Sequence, residues 1–153
     1  MLVRWSVSVL LVVFISGCAF KNNPTPLGDS ELVGQWLHEG EETLDGAVVT
    51  TRMALNITQE GYISYHFMSC FSSKGEARKN KTLHLLNMPM IRVTTTKIKA
   101  QTFPLTPKWE FKINEWPTHE NDQWKMTVDG LLLDKVDVSV DIRAKVDNWR
   151  CEL

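Results

Sequence analysis

The sequence predicts an all-β domain of short antiparallel strands, and three observations predict it. Apolar and polar residues alternate with a period of two over several stretches. The turn pairs Asp45-Gly46 and Asp129-Gly130 stand beside those stretches. No long window carries the helical period of about 3.6 residues. Alternation joined by short connections implies antiparallel pairing, in an up-and-down β-barrel or barrel-like sandwich of about eight strands.

Taken in order, Leu32-Val33-Gly34-Gln35-Trp36-Leu37 opens the folded part as a short strand. Glu39, Glu41 and Glu42, beside Gly40, are expected in a solvated loop. After Asp45-Gly46, residues Val49, Thr51, Met53, Leu55 and Ile57 share one parity, the pattern of a half-buried strand. Gln59-Glu60-Gly61 links it to a second alternating run over 62–71, and the two form a hairpin. Residues 72–81 are hydrophilic and expected as a loop, with Lys74, Arg78, Lys79 and Lys81 against Glu76. The stretch 82–90 is ambiguous, because Pro89 has no N–H to donate inside a sheet.

Residues 91–103 are rich in β-branched side chains and predict one strand, punctuated by Pro104 and Pro107. Trp109, Phe111 and Ile113 alternate with Glu110, Lys112 and Asn114. A loop over 115–122 follows, which would leave Trp116 exposed beside Pro117 and His119. Trp124, Met126 and Val128 lead into Asp129-Gly130, a strong hairpin signal. Beyond it Val136, Val138, Val140, Ile142, Ala144 and Val146 face Asp137, Ser139, Asp141, Arg143, Lys145 and Asp147. That row predicts a long strand with one wet face.

The N-terminus is of another kind. Arg4 precedes an apolar run from Ser6 to Ile15, then Ser16-Gly17-Cys18. A positive start, a short apolar run and small residues at a cut describe a secretory signal peptide. The run is short for a membrane span, which takes about 20 apolar residues. Ile15-Ser16-Gly17-Cys18 resembles the lipobox of bacterial lipoproteins. The resemblance implies cleavage after Gly17 and acylation at Cys18, and two or three acyl chains make a stable anchor where one does not. Ala19, not aspartate, follows the cysteine, which in the enterobacterial sorting rule permits export to the periplasmic face of the outer membrane. The expected organisation is a signal peptide over 1–17, a lipidated N-terminus and tether over 18–31, and a β domain over 32–153.

The formal net charge of −1 includes Arg4, so the chain without residues 1–17 carries −2, with no long block of like charge. Nucleic acid is therefore not an expected partner. With Cys18 committed to lipid, Cys70 and Cys151 remain in an oxidising compartment and are expected to form a disulfide, with two separate buried thiols as the alternative. His38, His66, His84 and His119 are dispersed, and neither a metal nor a cofactor site is expected. No phosphate loop or nucleophile elbow is present. The candidate binding residues are Trp116 and the basic set Lys74, Arg78, Lys79 and Lys81.

Leu32-Val33-Gly34-Gln35-Trp36 is similar to the Gly-x-Trp signature of lipocalins and related calycin barrels. That resemblance implies a barrel closed at one end by Trp36, with Gly34 beside it and an arginine, here Arg150, packed over the indole. The functional expectation is non-catalytic binding of an envelope protein or a small apolar molecule, with an envelope hydrolase as the alternative.

Overall fold

The structure, a computed structural model, describes residues 21–73 and 76–147. Eight strands run around a closed antiparallel barrel: β1 (Gly34–Leu44), β2 (Ala47–Ile57), β3 (Tyr62–Ser73), β4 (Glu76–Thr94), β5 (Lys97–Ala100), β6 (Trp109–Glu120), β7 (Gln123–Val128) and β8 (Leu131–Val136). Each strand pairs with its neighbour in sequence, and β8 returns to β1 through Gln35, Trp36 and Leu37. The expected up-and-down barrel is what forms. One short helix, α1 (Ile142–Asp147), follows it, and no helix among the described residues is long and apolar enough to cross a membrane.

Local chemistry sets the register. Asp45-Gly46, Asn121-Asp122 and Asp129-Gly130 each place two consecutive residues at positive φ, between 50° and 82°. Pairs of this kind twist in the sense that suits the strands they join. Inside the barrel one parity of each strand is buried, including Trp36, Leu55, Ile63, Met90, Ile98 and Leu133. Each such aliphatic side chain contributes about 1.5–3 kcal/mol on burial.

Residues 21–32 close one end. Thr25 N–H donates to Met90 O at 2.6 Å, Leu27 N–H to Gln59 O at 2.9 Å, and Asn22 N–H to Thr102 O at 3.2 Å. From Asn22 onward the segment expected as tether is thus laid against the barrel. Gly61, at φ +90°, lies where the Thr25 backbone crosses, and any Cβ there would collide with the Thr25 carbonyl. The indole N–H of Trp36 donates to Leu32 O at 2.9 Å and fixes the seal.

Five expectations are corrected. Glu39, Glu41 and Glu42 lie in β1, which runs well past Leu37; Glu39 pairs with Arg52 of β2 at 3.3 Å. Of the hydrophilic stretch expected as a loop, residues 72–73 belong to β3 and 76–81 to β4, with Arg78 opposite Phe71 and Lys79 opposite Cys70. Residues 91–103 are not one strand: Thr95-Thr96 turn the chain between β4 and β5. The Thr94 hydroxyl closes that turn, accepting from Lys97 N–H and donating to Lys97 O, both at 3.2 Å. The 115–122 loop is strand. β6 continues to Glu120 with register shifts around Glu115, and Pro117 sits within that irregular stretch, where the ladder is interrupted.

The fifth correction is the largest. The row from Val136 to Val146 is not a strand. β8 ends at Val136, Val138 is 80% exposed, and α1 begins at Ile142. Asp141 caps the helix, its Oδ1 accepting from Ala144 N–H at 2.9 Å. Ile142 and Val146 are one helical turn apart and pack on Leu37, Ala54, Met68 and Cys70, the outer face of β1–β3. Arg52 Nη1 donates to Lys145 O at 3.0 Å at the far end of the helix.

Candidate functional site

β5 is four residues long and covers β4 only from Met90 to Thr94. The 101–108 loop bridges the wall above it. Between that loop and β4 lies a groove of about 370 Å³, lined by His84, Leu85, Leu86, Met88, Phe103 and Trp109 together with Thr102, Thr106 and Pro107. Leu85 packs on the barrel core, so the groove reaches from solvent to the interior wall.

The loop is built, not slack. Phe103-Pro104-Leu105-Thr106 forms a turn closed by Thr106 N–H to Phe103 O at 3.0 Å. Gln101, buried at 4% exposure, donates from Nε2 to Pro104 O at 3.0 Å and Thr106 O at 2.7 Å. Asn22 in turn donates from Nδ2 to Gln101 O at 2.9 Å. Leu105 is held at the tip, fully exposed.

At the sealed end, Lys135 Nζ sits 5.3 Å from the Trp36 ring centroid and 5.6 Å from that of Trp124. Burial pushes its ammonium pKa down, and the Glu31 carboxylate opposes that. Gly34, at φ +137°, leaves the space through which the Lys135 stem passes, with Cε only 2.5 Å from where a Cβ would stand. Lys135 therefore supplies a cation over Trp36; Arg150, expected there, lies outside the described residues. Toward the other end Tyr65 stacks with Phe67 and tilts against Phe111. Burial, with the Asp129 carboxylate as a second cause, pushes its phenol up to about 12.

The sequence-derived candidates are not brought together here. Trp116 is in β6, half-buried against the core, and not exposed as expected. Lys81 is exposed, its Nζ 5.8 Å from the Phe67 centroid. Arg78 and Lys79 are in β4, while Lys74 lies outside the described residues. Cys70 is buried in β3; Cys18 and Cys151 both lie outside the described residues.

The histidines are less dispersed than their spacing implies. His66 and His84 lie opposite each other on β3 and β4 with Nδ1 atoms 3.0 Å apart. In the sequence the two stand nine residues either side of position 75, within the hydrophilic stretch, and that symmetry was the signal. Among the described residues no three His, Cys, Asp or Glu side chains gather as a metal site.

No family model, curated protein or solved structure matches this chain. The groove has apolar walls, the hydroxyls of Thr102 and Thr106 and the imidazole of His84, a lining that suits a hydrocarbon-bearing molecule held by shape.

Proposed function

We propose that this is an envelope lipoprotein, anchored through Cys18 at the periplasmic face of the outer membrane, whose barrel binds a small apolar molecule without chemical conversion. The single observation that carries the binding reading is the groove between β4 and the 101–108 loop, with Leu85, Leu86, Met88, Phe103 and Trp109 on its walls. The anchor reading is supported by Ile15-Ser16-Gly17-Cys18 after an apolar run. An oxidising compartment would also allow a disulfide between Cys70 and Cys151, the two cysteines left once Cys18 is committed to lipid. Closing so long a loop contributes up to about 4–5 kcal/mol in the chain-entropy account.

Titration with a fluorescent long-chain fatty acid tests the binding reading. Saturable binding is expected, weakened about tenfold in Phe103→Asp. No saturation, or equal affinity in the variant, refutes the groove as the site. Labelled palmitate tests the anchor: incorporation is expected in the natural chain and not in Cys18→Ala.

A further inference from the structure

We propose that the 101–108 loop lies in the interface of the leaflet that carries the Cys18 anchor, and that hydrocarbon of that leaflet is what enters the groove. This rests on the lipoprotein reading above. Asn22 is four residues past Cys18, so an anchored cysteine stands at most about 14 Å of extended chain from it. Asn22 is bonded to Thr102 through its backbone and to Gln101 through its side chain. Whatever holds Cys18 at the bilayer surface therefore holds this loop there too.

What the loop presents fits such a place. Four of the seven large hydrophobic side chains exposed among the described residues cluster here: Leu86 at 55%, Phe103 at 39%, Leu105 at 101% and Trp109 at 36%. Leu105 is lifted to the tip by a proline turn whose carbonyls Gln101 holds from beneath. Residues 101–109 contain no acidic residue and one lysine, Lys108. The adjoining carboxylate, Glu110, is paired with Lys97 at 3.2 Å and Lys99 at 3.1 Å. Apolar tips, a tryptophan and lysine without free carboxylates are the composition that rests at a lipid interface. A loop this rigid gives up little conformational freedom on docking.

The test uses the full lipidated chain in phosphatidylethanolamine–phosphatidylglycerol vesicles doped with dibrominated phosphatidylcholine, which quenches nearby indoles. The Trp109 share of the signal is the difference between the natural chain and Trp109→Phe. That share is expected to be quenched at least threefold more than in Leu105→Asp, a change at a fully exposed side chain that leaves the fold intact. An unquenched Trp109, or equal quenching in Leu105→Asp, overturns the proposal; the first is the result expected if the loop docks on a protein instead. Palmitate labelling of the same preparation separates the two readings. Labelled protein with Trp109 unquenched sinks the docking alone. Unlabelled protein with Trp109 quenched at high lipid sinks the anchor and supports the loop's contact with lipid.

Discussion

Replacing Gly34 with alanine tests how the barrel end is built. At φ +137° a residue with a Cβ is strained, and such backbone costs about 1–3 kcal/mol. The new methyl also stands 2.5 Å from Lys135 Cε, so the lysine stem must move. Moving it takes the ammonium from between Trp36 and Trp124, where an exposed cation–π contact contributes about 0.5–1 kcal/mol. The expected loss is about 1.5–4 kcal/mol, read by urea unfolding followed through tryptophan fluorescence. Lys135→Ala separates the two causes. In that background only the backbone strain remains, so Gly34→Ala should cost about 0.5–1 kcal/mol less than in the natural chain. Equal costs in both backgrounds would show that the lysine does not depend on the glycine. No cost in either would refute the strain argument itself.

Three further outcomes follow from named contacts. Asp141→Ala removes the cap of α1 and should cost about 1 kcal/mol in denaturant unfolding, with Asp141→Ser retaining most of it. Tyr65 has its phenol raised from 10 to about 12, so the natural protein should lose stability as pH rises through that window, because the unfolded chain releases the proton first. Tyr65→Phe should flatten stability against pH there and remove a phenolate absorbance step near pH 12. Gln101→Ala leaves the Pro104 and Thr106 carbonyls without their donor, and amide exchange across 102–107 should quicken about tenfold while the barrel strands stay protected.

The barrel was legible because its evidence is local. Asp45-Gly46 and Asp129-Gly130 fix two hairpins, and Met53, Leu55, Ile57 and Ile63 enter the core on the parity their alternation shows, although α1 also buries Ala54, Met68 and Cys70 on the other face. What misled was a period that two structures share. Ile142, Ala144 and Val146 satisfy alternation, but Ile142 and Val146 also satisfy the spacing of one helical turn, and the latter wins because Asp141 caps it and β1–β3 offer an apolar outer face. The Thr95-Thr96 turn gave no warning either. Its closure comes from the Thr94 hydroxyl, a residue that looks like any other strand threonine. Pro89 argued against a central strand, yet β4 runs through it beside a register change, where Met90 N–H turns to Gly61 O and Gln101 N–H donates to the Pro89 carbonyl.

The site was less legible than the fold, for a topological reason. A Gly-x-Trp strand directs attention to the barrel end, but there residues 21–32, Trp36 and Lys135 pack into a seal. The opening is instead in the wall, because β5 is too short to cover β4, and strand length is what a missed turn at Thr95 conceals. One local signal did exist. Phe103, Leu105 and Trp109 are apolar residues among prolines, where a solvated loop has no use for them. Their meaning depends on Asn22, which ties that loop to the end of the chain that the lipobox-like motif marks. Asn22 and Gln101 are 79 residues apart in sequence and one hydrogen bond apart in space, so only the folded barrel brings the start of the described chain to the groove loop.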